Sequence, residues 1–225
     1  RAERLVVTAT TTIGTLGSAP CDGEAVAFAR ATLRENGAAR LVTLGAGTGL
    51  EVFIDVMRTP DFAVVLFGAG HVGRAVERAL AGIDCRIKWV DTRDDAFPAT
   101  TPDNVECVTT DTPEAEVAAA PAGAYFLVMT HSHPQDEALA ERILARGDFA
   151  YFGLIGSLSK RRQFEKKLEA RGTPRSRFAG MTCPIGIAGI AGKEPEVIAI
   201  AVAAELLQVR SRARAAGATT DRRRA

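Results

Sequence analysis

The chain has 225 residues, 47% hydrophobic and 24% charged, and its 28 basic and 27 acidic side chains leave a formal net charge of +1. That length holds one large domain or two small ones around a real core, and the balanced charge removes the electrostatic case for nucleic-acid binding. No apolar run approaches membrane-spanning length and no signal-peptide pattern opens the chain, so a cytoplasmic protein is expected, and the start at Arg1 rather than Met fits a chain whose N-terminal piece is missing. Cys21, Cys85, Cys107 and Cys183 lie far apart without C-x-x-C pairing, which argues against a zinc knuckle and against a disulfide scaffold.

Residues 5–9 and 13–16 are short β-type runs around a threonine cluster and predict a hairpin or two adjacent strands. Asp22 then serves as N-cap for an amphipathic helix with Ala25, Val26, Ala29 and Leu33 on one face, ending near residues 36–37. Strands over 40–44 and 50–57 flank a glycine loop, GAGTG at 45–49. It resembles a dinucleotide-binding turn by eye, yet LEVFIDVM after it alternates like a strand where a helix should begin, so a hairpin loop is expected. Strands gathered around one helix predict a small α+β domain over residues 1–59, with its boundary at 58–61.

The chain is organised around residues 61–91, DFAVVLFGAGHVGRAVERALAGIDCRIKWVD. A short apolar run predicts a buried parallel strand. It is followed by the G-x-G-x-x-G pattern of Gly68, Gly70 and Gly73, a helix carrying Ala75, Val76, Ala79 and Leu80, and a second strand closed by Asp91. Gly68 permits the tight turn, Gly70 lets a phosphate approach the backbone, and Gly73 lets helix and sheet pack closely. The helix N-terminus offers N–H groups and partial positive charge to an anion. Asp91 sits where a carboxylate can accept from both ribose hydroxyls, favouring NAD over NADP, whereas Arg93 can stack on adenine or pair with a phosphate. A phosphorylated ligand and a bare scaffold are both consistent with the motif.

Beyond Asp91 the alternation continues, with strands over 104–109, 125–130 and 149–155, a poorly marked crossover over 114–120, a helix after His133, a basic helix from residue 158, and a last helix from 194–196 to about 213. This gives an α/β fold, a Rossmann-like doubly wound parallel sheet over residues 60–225 behind the small N-terminal domain. Ligands of such sheets sit at the carboxyl ends of the strands. That rule gathers residues 68–73, Asp91, 131–136, 156–160 and 183–193 on one rim.

On that rim His131 is a candidate general base, or a histidine that merely bonds backbone, and His133 has no convincing metal-ligand spacing. Gly156, Ser157, Lys160 and Arg161 place two cations at a helix start, which is unfavourable unless an anion joins them, so a second phosphate site is weighed against an exposed basic face. Cys183, before Pro184, and Cys21, ahead of a helix, are the candidate reactive thiols, while Cys85 and Cys107 fall in strands and are read as core residues.

Several motifs together resemble the XdhC/CoxI family of accessory proteins for molybdenum hydroxylases. The likeness lies in VVLFGAGHVGRAV with His71, in MTHSHPQD with Thr130, His131 and Asp136, in YFGLIGSLSKRRQF, and in CPIGIAGIAGKEPEVIAIAVAAELL with Cys183 and Lys193. TIGTLGSAPCDGEAVAFA is similar more weakly, and GAGTG stands where the family carries a Cys-Gly-Gly segment. The resemblance implies a maturation factor, a cytosolic homodimer. It would bind molybdenum cofactor, support its sulfuration with a cysteine desulfurase, and deliver it to an apo-hydroxylase of xanthine dehydrogenase type. The phosphates would lie at residues 68–73 and 156–161, with Thr130 and Lys193 among the matched site positions. An NAD-dependent oxidoreductase and a nucleotide-sensing docking module are the alternatives.

Overall fold

The computed structural model describes residues 3–35, 37–45, 49–57 and 62–222, with side chains as far as 215. The expected boundary at 58–61 and loop residues 46–48 lie outside the described residues. Two compact units emerge, Arg1–Thr59 and Pro60–Ala225.

In the first unit β1 (Arg4–Val7) and β2 (Thr12–Thr15) form one antiparallel hairpin, and β3 (Arg40–Leu44) and β4 (Leu50–Ile54) form another. Helix α1 (Ala19–Arg34) starts earlier than expected. Pro20 fits the first turn with its fixed φ and Ser18 takes the N-cap position. Asp22 is therefore inside the helix rather than at its cap, and its carboxylate accepts from the Thr15 hydroxyl and the Leu16 N–H, both at 2.7 Å, tying helix to hairpin. Cys21, expected ahead of the helix, lies within its first turn and is buried.

In the second unit five strands form one parallel sheet: β5 (Ala63–Phe67), β6 (Arg86–Asp91), β7 (Val105–Thr109), β8 (Tyr125–Val128) and β9 (Tyr151–Leu154), in the order β7-β6-β5-β8-β9. Helices cover both faces, which is why β5, β8 and β9 read as continuous apolar runs instead of alternating ones. Alternation persists in what each face touches. Val65, Phe67, Phe126 and Val128 pack with Leu139, Ile143 and Leu144 of α4 (His133–Arg146) and Phe164 and Leu168 of α5 (Leu158–Ala170). On the other face Val64, Leu66, Leu127 and Trp89 meet Val76 and Leu80 of α2 (His71–Leu80) and Val202 and Leu206 of α6 (Pro195–Arg222). Each fully buried large side chain contributes roughly 1.5–3 kcal/mol.

The crossover between β7 and β8 is α3 (Pro113–Ala119). After a 3-10 turn at Arg175–Gly180, Thr182 pairs in parallel with Gly153, extending the sheet beyond β9 and bringing Cys183 to the strand ends. Helix α6 runs past the expected 213 to Arg222. Cys107, expected in the core, is exposed, because β7 is the edge strand and the helices cover it incompletely.

Candidate functional site

The chain leaves β5 toward β6 and β7, then returns to add β8 and β9 on the opposite side, so the connections part above β5 and β8. Parallel sheets bind ligands at such a reversal. Phe67 is level with Val90 and with Val128, which sets Gly68, Asp91 and Met129 side by side at the strand ends.

The three glycines differ in what they permit. Gly68 has φ +107°, and a Cβ there would stand 2.4 Å from the Met129 carbonyl oxygen. A Cβ on Gly73 would stand 2.0 Å from the Gly68 carbonyl oxygen, so only a bare backbone lets α2 lie this close to the turn. Gly70, the N-cap of α2, has nothing within 4 Å of its Cβ position, and no side chain caps the helix there. The turn is held from below. The Gly68 N–H donates to the Val90 carbonyl at 2.8 Å and the Trp89 indole N–H donates to the Gly68 carbonyl at 3.1 Å. Arg74, which sequence reasoning missed, donates to the Ala69 and Ala96 carbonyls from within α2.

Asp91 is 5% exposed and works inside the protein. One carboxylate oxygen accepts from the Ala69 N–H at 2.7 Å and from Arg93 Nη2 at 3.0 Å, the other from the Arg93 N–H at 3.0 Å and Arg93 Nε at 2.9 Å. Burial alone would raise its pKa, but the Arg93 guanidinium and the two backbone donors outweigh burial and hold it at about 2. The ribose-acceptor role expected of Asp91 would have to share a carboxylate whose two oxygens already hold the glycine turn and Arg93.

At the end of β8, Asp136 is fully buried. It accepts from the Thr130 N–H at 3.1 Å, the Thr130 hydroxyl at 2.7 Å and Lys160 Nζ at 3.0 Å, while Lys160 also donates to the Ile155 carbonyl at 3.0 Å. The cation at the start of α5 thus finds its anion within the protein, which corrects the expectation that Lys160 awaits a phosphate. Arg161 is engaged likewise, by Glu165 at 2.7 Å and the Phe178 carbonyl at 3.2 Å. Ser157 caps α5 by accepting from the Lys160 N–H, and a Cβ on Gly156 would meet the Lys160 stem at 2.5 Å. The cluster at 156–161 is therefore a structural clamp joining β8, β9 and two helix starts. The cap of α4 is Ser132, whose side chain accepts from the Gln135 N–H.

The histidines His71, His131 and His133 are exposed, as is Lys193 in the loop before α6. Cys183 is 3% exposed, its thiol donates to the Ser157 carbonyl at 3.8 Å, and burial raises its pKa despite Lys160 and Arg161 nearby. Glu205, which the sequence did not flag, accepts from the Tyr151 hydroxyl at 2.6 Å and the Gly186 N–H at 2.7 Å and so fixes the Cys183 loop. Among the described residues no group of three His, Cys, Asp or Glu side chains could hold a metal ion, and no helix is long and apolar enough to cross a membrane. Exposure rather than acidity orders the thiols, since burial raises both Cys107 and Cys183. Native protein treated with dithiobis(nitrobenzoate) is expected to react first at Cys107, and Cys183 only after denaturation; a rapid phase that survives Cys107→Ser would contradict this.

Residues 64–206 match the family model of the XdhC Rossmann domain. The chain is 30% identical over 171 residues to YqeB of Escherichia coli K12, covering 74% of this chain and 30% of YqeB, so it spans less than a third of that relative's length. It also superposes on the crystal structure of a xanthine dehydrogenase from Bacillus halodurans with a TM-score of 0.58 at 17% identity, over 89% of this chain and 67% of that one, a likeness of fold. With the glycine turn, the strand order and a family match over most of the second unit in agreement, this chain belongs to the XdhC Rossmann-domain family.

Proposed function

We propose that this chain binds molybdenum cofactor by the phosphate or diphosphate of its pterin tail and holds it for an apo-hydroxylase of xanthine dehydrogenase type. The observation that carries the reading is the uncapped N-terminus of α2, open at Gly70, beside the reversal of strand order. Helix N–H groups and the helix dipole favour phosphate oxygens there, and Gly68 and Gly73 hold the backbone in shape before any ligand arrives. Family membership supports the same assignment.

The residues fit the two ends of such a cofactor unequally. The phosphate end matches the open turn, with half-exposed Arg93 and exposed His71 and His131 within the same set of strand-end loops. At the metal end no thiolate is prepared, because burial keeps Cys183 protonated. When bound, the cofactor supplies the molybdenum oxo and sulfido chemistry. This chain orients and shields it, sulfur arriving from a cysteine desulfurase rather than through Cys183. A homodimer in the cytoplasm belongs to the same reading.

Equilibrium dialysis with molybdenum cofactor in its phosphate and dinucleotide forms tests this, with a micromolar or tighter dissociation constant expected. Gly70→Glu is expected to weaken binding about a hundredfold with little change in stability, because φ of −75° and empty space accommodate a side chain whose carboxylate competes for the helix end. Absence of micromolar binding, or equal binding by the variant, rejects the proposal. Saturable quenching of NADH fluorescence without pterin binding would hand the site to an NAD-dependent oxidoreductase.

A further inference from the structure

The first unit contains a groove of about 860 Å³ bordered by all of β1 and all of β4. Side chains of successive strand residues point to opposite faces, so a space touching every residue of two strands lies between their edges. Among the described residues β1 pairs only with β2 and β4 only with β3. Two hairpins therefore face each other across an open lane, each with one row of backbone N–H and C=O groups turned toward it. A lone two-stranded hairpin is marginally stable, and unprotected edges invite a further strand.

We infer that this lane is a docking site for one extended strand of a separate polypeptide, which completes a sheet of five strands in the order β2-β1-strand-β4-β3. Hydrogen bonding to both sides demands an extended backbone and excludes a helix or a globular ligand. Leu5, Val7, Leu50, Val52 and Ile54 are the half-buried positions of the two borders, and Ala29 and Leu33 of α1 line the same space, so inward positions of the guest strand take apolar side chains. The opposite face is bare, with Val6 59% and Phe53 64% exposed, and accepts solvated side chains. On that face the border carries Glu51 and Asp55 against Arg4, so basic outward residues are favoured. A second copy of this chain is a poor donor. The apolar strands of its first unit are already paired, and giving one up breaks a hairpin. The inference is independent of the cofactor reading.

The test is fluorescence-anisotropy titration of the full chain with a labelled peptide of about seven residues alternating valine and lysine. Saturable binding is expected, weakened at least about tenfold when alternate backbone nitrogens are methylated or when the same residues are shuffled out of alternation. The methylated peptide leaves the protein unchanged, so the contrast stands even if the companion variant Val52→Asp fails to fold. No binding, equal binding of the methylated or shuffled peptide, or concentration-dependent self-association that displaces the peptide overturns the inference.

Discussion

Gly73→Ala is expected to lower the stability of the second unit by about 2 kcal/mol, read as a shift in the urea midpoint at constant slope. The sign is informative. Alanine is favoured over glycine inside a helix by about 1 kcal/mol, so propensity alone predicts a gain. The loss comes from a methyl group placed 2.0 Å from the Gly68 carbonyl oxygen, in backbone that has little room to retreat. Gly68 is held on three sides, by its N–H bond to Val90, by the Trp89 indole on its carbonyl, and by the end of β8 behind it. Relief requires α2 to lift off the sheet, which uncovers Val76 and Leu80. Gly82→Ala is the control, since nothing lies within 4 Å of its Cβ position. If Gly73→Ala is neutral or stabilising, the close approach of helix and turn is wrong.

The other large effect is expected at Asp136. Asp136→Ala removes a fully buried carboxylate and leaves the Lys160 ammonium, whose side chain is 17% exposed, without its anion. Breaking one side of such a pair costs about 3–5 kcal/mol, well above the worth of a surface ion pair. The Thr130 N–H loses its acceptor at the same stroke, so the turn that presents His131 loosens with it. Lys160→Ala is expected to be damaging alone but less so in the Asp136→Ala background, giving a coupling of about 2 kcal/mol in a double-mutant cycle. Additive losses would mean that the two side chains do not act as a pair.

These clamps mark where sequence reasoning reaches and where it stops. The glycine turn is legible because strand, glycines, helix and second strand are contiguous, and each glycine answers to a local constraint. The parallel sheet is legible because two-sided burial writes continuous apolar runs into β5, β8 and β9. The charge anomaly at the start of α5 is also visible, since two cations at a positive helix end demand explanation. Its solution is not visible, because Asp136 lies 24 residues away and only the packing of α4 beside α5 brings it to Lys160. Asp91 shows the same limit. Its place at the strand end follows from the pattern, but its engagement by Ala69 and Arg93 depends on the turn's shape. Cys107 misled because an edge strand and a central strand look alike over five residues, and Cys21 because Pro20 moves the helix start ahead of it.

The pairing of α2 with α6 bears on how the protein is made. Val76 and Leu80, on the helix that opens at Gly70, are covered by Val202 and Leu206 near the far end of the chain. During synthesis the glycine turn therefore leaves the ribosome more than a hundred residues before the segment that will seat its helix. Until then a nascent chain carries α2 with a naked apolar flank, a surface suited to general chaperones, and cannot offer a settled turn to any ligand. The turn settles only once α6 has emerged as well.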